Sequence, residues 1–442
     1  MISWFKYSYW LTILVPLTAV IVTPTTLFPF IVGKYVVFRG LVDLALIMAA
    51  AGVLFLPDES REFISRIKNF LISPLGLAVS IFSLIFVLAG FFGVNPSFSF
   101  WSNFERGDGG LQMIHLYTWL VLMVGLFKTQ KDWYRLFSIS VWSAGLMCLY
   151  GFLAGSGANG FVGARFSDPS FRFQGSIGNP AYVAAYLIFS LIWALVLIRA
   201  KIVAKKILEP AGLGLIFLSG IFIWVFFLAQ TRGAFLGLVA AAVGGLGYLG
   251  FHNKKLRKWF LALGVVVLLG VGSMIFFKDS SFVKTLPVSR IFQISFAEET
   301  FGTRLGIWKM AWEGAKERPI LGWGPENFIT VFDRKFDPTF FKPEVGFQAW
   351  YDRSHSIYFD ALATTGFLGL ISLLGMWLVF FWQTIKSDIL TLGEKALAMG
   401  AAAAYLVQGI VLFDVFTIYL SFFILLAWVG ASFLIEEKKY ND

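Results

Sequence analysis

The chain has 442 residues, of which 58% are apolar and 14% charged, and phenylalanine alone occurs 50 times. A water-soluble domain, at roughly 45–50% apolar and about 25% charged, cannot hide that much apolar surface. The net charge of +10 reads as basic anchoring of membrane loops, which excludes a nucleic-acid surface. A single cysteine, Cys148, and three histidines exclude an internal disulfide and leave no metal site of the usual spacings. No metal and no cofactor are expected.

A helix needs about 20 apolar residues to cross a bilayer. In chain order, about twelve such runs occur: 10–30, 36–56, 74–93, 111–127, 134–155, 180–198, 211–229, 233–251, 259–277, 363–384, 396–413 and 417–435. The first is too long for a signal h-region and has no small-residue cleavage site, so it reads as a span. The weaker stretch 356–365 leaves the count open by one. The expected fold is all-α, a polytopic transmembrane helical bundle forming one membrane domain over residues 1–442.

Orientation follows the Lys/Arg bias. With both termini in the cytoplasm, the inner loops carry Arg61, Arg66 and Lys68, then Lys128, Lys131 and Arg135, then Arg199, Lys201, Lys205 and Lys206. Lys254, Lys255, Arg257 and Lys258 follow, then Lys386, Lys395, Lys438 and Lys439. The short outer loops carry only Lys34, Arg39, Arg106, Arg165, Arg172 and Arg232. Outside, arginine dominates. Its planar fork matches phosphate, whereas lysine is a hydrated point charge. Arg39 and Asp43, four residues apart in the second span, are expected to pair.

Between the ninth and tenth spans, residues 278–355 form one large extracytoplasmic loop subdomain, and loops of that size are usually functional. Within it, residues 302–317 read as an amphipathic helix. Leu305, Trp308, Trp312 and Ala315 form one face, and Arg304, Lys309, Glu313 and Lys316 the other. The run from Arg318 through Pro319, Gly322 and Gly324 to Pro325 ends it.

The outer ends of the spans hold the residues that can carry chemistry. Arg232 sits between two runs almost without a loop, where a cation is best offset by an anion. Arg172 precedes Gly175, Gly178 and Asn179-Pro180, a helix start suited to an anion. His355 lies in the polar run Tyr351-Asp352-Arg353-Ser354-His355-Ser356, and a neutral imidazole suits a general base. Asp352 and Asp360 are rival bases, and Asp360 could instead orient His355 or cap the helix. His115 and His252 read as ordinary. The spans show no set of mid-membrane acids, and neither a P-loop nor a dinucleotide fingerprint occurs.

In order, the outer motifs are Ser97-Phe-Ser-Phe-Trp101-Ser-Asn-Phe-Glu-Arg106, Arg172-Phe-Gln-Gly-Ser-Ile-Gly-Asn-Pro180 and Thr231-Arg232-Gly233-Ala-Phe-Leu-Gly237. Arg304-Leu-Gly-Ile-Trp308, Pro319-Ile-Leu-Gly-Trp-Gly324, Asp352-Arg353-Ser-His355-Ser356 and Thr365-Gly-Phe-Leu-Gly369 follow. This series resembles the O-antigen ligase and O-antigen polymerase superfamily of bacterial membrane glycosyltransferases, most strongly over about 170–375. The resemblance implies a glycan on undecaprenyl diphosphate as donor. It also implies an acceptor hydroxyl on lipid A core, another glycan or a protein, and metal-independent, inverting transfer on the extracytoplasmic face of the inner membrane. It assigns the catalytic histidine to His355 and the diphosphate to Arg172, Arg232 and Arg304, with Arg353 and Arg106 beside them and Asp352 and Asp360 in support. Many relatives carry asparagine after the histidine, and Ser356 stands there in this chain. A polymerase that extends a glycan is the rival within the enzyme class. A transporter of lipid-linked glycan is the rival from another class.

Overall fold

The computed structural model describes residues 4–255, 257–285, 299–338 and 350–434, and among these every regular element is helical. The positions Lys438 and Lys439, and the last residue of the run 417–435, lie outside the described residues. The first half of the chain forms α1 (Trp4–Leu14), α2 (Val32–Phe55), α3 (Pro57–Leu71), α4 (Pro74–Phe91), α5 (Pro96–Trp101), α6 (Gly110–Leu126), α7 (Gln130–Ser156) and α8 (Pro180–Val203). Then come α9 (Pro210–Leu228), α10 (Arg232–His252), α11 (Arg257–Phe276), α12 (Ser281–Thr285), α13 (Glu299–Glu317) and α14 (Phe328–Arg334). The last three are α15 (Ile357–Lys386), α16 (Leu392–Gln408) and α17 (Phe416–Ala431).

Proline opens α3, α4, α5, α8 and α9, where its missing N–H costs nothing and its fixed φ favours the first turn. Among the described residues, eight helices are long and apolar enough to cross a membrane, and the shorter apolar helices α6 and α17 join them. The chain is an integral membrane protein. The run 10–30 is not one unbroken span. Helix α1 stops at Leu14, a 3-10 turn covers Val15–Val20, and turns follow. Pro16 lacks the N–H that would continue the helix.

Helices α8 and α17 are sheathed on nearly all sides. The Phe137 ring stacks on Trp193 at 4.6 Å, and Trp428 meets Phe137 edge-on at 5.2 Å. No residue of α11 is buried, as expected of a helix whose solvent is lipid. The expected Arg39–Asp43 pair is replaced by bonds to the segment facing it. Arg39 Nε donates to Gln112 Oε1 at 2.8 Å and Nη2 to the Gly107 carbonyl at 2.6 Å, while Asp43 meets His115 Nε2 at 3.0 Å. Partners on α6 and its leading loop satisfy more of the guanidinium fork than one carboxylate on the same helix.

Alternation of helices sorts the loops. Segments 102–109, 157–179, 229–231, 350–356 and 409–415 meet at one end, tied by bonds such as Phe173 N to the Leu228 carbonyl (3.2 Å) and Ile357 N to the Gly409 carbonyl (2.9 Å). Lysine-rich loops gather at the other end, where Arg66 donates to the carbonyls of Val124 and Leu434 and Glu394 accepts from Gln130 and Tyr134.

A second, smaller apolar cluster stands on the first end. It comprises Ile307, Met310, Ala311, Trp323, Phe328 and Val331 with Ala363 of α15. Helix α13 buries only part of the expected face: Ala315 is buried and Trp308 packs on Phe359, whereas Leu305 and Trp312 are 48% and 45% exposed. Apolar residues flank the buried stripe on this helix, so spacing alone does not say which side packs. A break in α15 anchors the cluster. Gly366 has φ +69°, and the Ala363 and Thr364 carbonyls freed there accept from the N–H groups of Trp323 (3.0 Å) and Gly324 (2.8 Å). A Cβ on Gly366 would lie 2.4 Å from the Ile320 carbonyl oxygen. Only glycine takes both the left-handed φ and the close approach.

Candidate active site

His355 sits in the turn that leads into α15, with φ +56°. A non-glycine residue held there stores about 1–3 kcal/mol and persists only where its surroundings over-determine it. They do so here. The buried Ser354 receives a bond from Trp308 Nε1 to its carbonyl (3.1 Å), donates its N–H to Asp360 Oδ1 (3.2 Å) and donates its hydroxyl to the Ser356 carbonyl (2.9 Å). Trp308 also stacks on Phe359 at 5.2 Å. The imidazole lies edge-on between Tyr351 (5.4 Å) and Phe413 (5.2 Å).

His355 Nδ1 lies 3.2 Å from the Arg353 carbonyl oxygen. A carbonyl can only accept, so Nδ1 carries the hydrogen and Nε2 keeps its lone pair. Burial holds the imidazole below its ordinary pKa; the bond to Arg353 pulls the other way and the charge of Arg304 adds to the depression. The ring is therefore neutral near physiological pH, with a base nitrogen available.

The structure divides the expected arginines into two groups. Arg172 donates Nε to the Ala229 carbonyl (3.2 Å) and Nη2 to Thr231 Oγ1 (3.1 Å), which brings it onto the turn that leads into Arg232. Arg232 is the first residue of α10, at the electropositive end of that helix. It lies close enough to Arg304 to weaken that group's hold on its proton, after burial. Among the described residues, Arg304 has no carboxylate within ion-pair distance. Arg172, Arg232, Arg304 and His355 thus form one connected neighbourhood, three cations beside a neutral base.

Arg106 and Arg353 face carboxylates. Arg106 closes a bidentate bond on Asp352, Nε to Oδ2 at 2.6 Å and Nη2 to Oδ1 at 2.9 Å. Against the effect of burial, this pair holds Asp352 below the usual carboxylate range. Arg353 is buried, donates Nη1 to Asp360 Oδ2 at 2.9 Å and Nη2 to Glu326 Oε1, and lies 4.0 Å from Asp108. Burial works against this cation, and the three carboxylates outweigh it, so its proton is held more tightly than usual. Asp360 is engaged with Arg353 and the Ser354 N–H and does not bond His355. Asp352 likewise serves Arg106. Neither acid is placed as a base.

Sequence reasoning named Asp352 and Asp360 but passed over Asp108 and Glu326, the other acids of this network. Asp108 sits among glycines directly after Arg106, and Glu326 follows the Gly324-Pro325 turn. The spans show no set of mid-membrane acids, yet the loops and the first turn of α15 bring Asp108, Glu326, Asp352 and Asp360 together at their end, near Asp414. Glycine-flanked acids beside an outer arginine were the available signal. Lys34 was also missed. It is buried at the start of α2 and donates to the carbonyls of Ile21 and Ser176. Among the described residues, no three His, Cys, Asp or Glu side chains are arranged to hold a metal ion.

Residues 217–374 match the Wzy_C family model, described as O-antigen ligase. Over these residues the chain is similar to the O-antigen ligase family. The matched segment begins within α9 and ends within α15, and so contains Arg232, Arg304, Glu326, Arg353 and His355. Arg172, Arg106 and Asp108 reach the matched segment from the chain before it. No curated protein matches the chain.

Proposed function

We propose that the protein transfers a glycan from undecaprenyl diphosphate to an acceptor hydroxyl on the extracytoplasmic face, with inversion and without a metal ion. The observation that carries this reading is the neighbourhood of Arg172, Arg232 and Arg304 beside a neutral His355 whose Nε2 keeps its lone pair. Three cations gathered at the end of a membrane bundle favour an anion between them, and guanidinium forks suit diphosphate oxygens.

His355 Nε2 accepts the proton of the acceptor hydroxyl. The oxygen attacks the anomeric carbon from the face opposite the diphosphate, forming the new glycosidic bond. The bond from that carbon to the phosphate oxygen breaks, and its electron pair leaves with undecaprenyl diphosphate. The arginines stabilise the charge that grows on that leaving group. Arg353 and Arg106 serve this chemistry from behind: Arg353 ties the loop 350–356 to Glu326 and Asp108, and Arg106 grips the same loop through Asp352.

The test is transfer in native membranes by His355→Ala and Arg232→Ala variants, read as glycosylated acceptor formed per unit of protein. Each substitution should lower the rate about 10²–10³-fold or more. Near-normal transfer by both would refute the assignment.

A further inference from the structure

His355 also borders a cavity of about 370 Å³ that none of Arg172, Arg232 and Arg304 lines. This volume falls within the ~300–1,000 Å³ of small-molecule sites. Its walls carry aromatic side chains, Phe30, Tyr182 and Phe413 among them, and the polar residues Glu105, Asp108 and Asn179.

The cations of this wall are already engaged. Lys34 Nζ serves two backbone carbonyls, and Arg106 is closed on Asp352 while its guanidinium lies 4.9 Å over the Phe413 ring. The acceptors are not. Asp108 is only 7% exposed, and its Oδ1 has no hydrogen-bond donor among the described residues. A buried carboxylate oxygen left that way costs about 1–3 kcal/mol or more, so a donor there is strongly favoured. Burial, with Glu326 adding to it and Arg353 opposing, pushes the Asp108 carboxyl up to about 7. Glu105 has no ion pair or hydrogen bond among the described residues. Asn179 uses its side-chain oxygen to cap α8 at Ala181 N (2.8 Å), so its amide NH2 adds a donor to the wall, for a ligand hydroxyl to accept.

A ligand for such a wall must bring several donors, carry no negative charge and present apolar C–H faces to rings. A sugar does all three. A serine or threonine side chain brings one hydroxyl. A phosphorylated sugar sets its charge against Glu105 and Asp108, and like charges brought together cost several kcal/mol. We propose that this cavity is the acceptor subsite and takes an uncharged, hydroxyl-rich sugar, which Glu105 and Asp108 orient so that one hydroxyl reaches His355. The proposal rests on the transfer reading of His355 and narrows its acceptor to a neutral glycan end.

The test uses the full-length protein in lipid nanodiscs and saturation-transfer NMR with three probes: lactose, glucose 6-phosphate and an Ala-Ser-Ala peptide. Lactose should receive saturation and the other two should not. Glu105→Gln should weaken the lactose response about tenfold, the loss of one charge-assisted hydrogen bond. Asp108→Asn should do the same. Glu105 lies outside the buried ion network, so its variant reads binding even where Asp108→Asn unfolds. No lactose response, a stronger response from the peptide or the sugar phosphate, or an unchanged lactose response in Glu105→Gln would overturn the proposal. Pyrophosphate binding, measured in parallel, separates the two readings. It should survive Glu105→Gln and be lost in Arg304→Ala. Pyrophosphate binding that ignores Arg304 would defeat the transfer reading instead.

Discussion

Arg353→Met tests whether the buried ion network builds the site. Arg353 is the one cation shared by Glu326, Asp360 and Asp108, with a bond to each of the first two and a 4.0 Å approach to the third. Methionine keeps much of the volume and removes the charge. Breaking a buried pair by deleting one partner costs about 3–5 kcal/mol, because the other charge stays buried. At about 1.4 kcal/mol per tenfold, that lowers the folding constant by roughly two to four decades, out of a total stability of ~5–15 kcal/mol. Acid should relieve the deficit. The folded-state value of Asp108, about 7, lies above the unfolded value of ~3.9. Its ionisation therefore opposes folding: the penalty is absent below about pH 4, grows up to about 7 and is constant above. Loss of Arg353 raises that folded value further, so the variant is weakest at alkaline pH and recovers as pH falls. Tryptophan fluorescence during heating in detergent reads this directly. The double variant Arg353→Met with Glu326→Leu should regain part of that stability, since it removes one of the three carboxylates left without their cation. Wild-type melting of Arg353→Met, or a deficit that pH leaves untouched, would refute the reasoning.

Three further outcomes follow from the same geometry. Burial and Arg304 hold His355 below its ordinary ~6.5. Transfer, as kcat/KM against pH, should therefore be level above that value and fall only at lower pH, and Arg304→Ala should shift the fall upward; a midpoint above about 7 would contradict this. Gly366→Ala should cost at least ~1–3 kcal/mol through its φ of +69° and its contact with Ile320, whereas Gly375→Ala in the same helix meets open space and should be neutral or stabilising in a melting assay. Trp308→Phe retains a ring against Phe359 but loses the N–H donated to the Ser354 carbonyl; it should cost about 0.5–1.5 kcal/mol and lower kcat while donor KM stays level.

Composition settled the solvent, because apolar content on this scale has no other host than lipid. Runs near 20 residues located most helices, but the run 10–30 misled because Pro16 interrupts it and hydropathy does not register a missing N–H. The arginine-bearing loops do meet at one end of the bundle, since loops joined by spanning helices must alternate between two ends. The motif around Gly366 was visible as a pattern, and its purpose was not. Its left-handed φ makes sense only beside the backbone of residues 319–324.

The sequence by itself determined that the protein is a helical membrane bundle and that His355, Arg172, Arg232 and Arg304 share one end of it, because length, hydropathy and loop alternation are local properties of the chain. Only the tertiary structure decided which arginines meet carboxylates. Asp108 reaches Arg353, and Arg106 reaches Asp352, across more than two hundred residues of chain. No spacing rule reaches that far, since such pairs are chosen by helix packing, and a guanidinium reads the same in sequence whether it faces a carboxylate or a ligand.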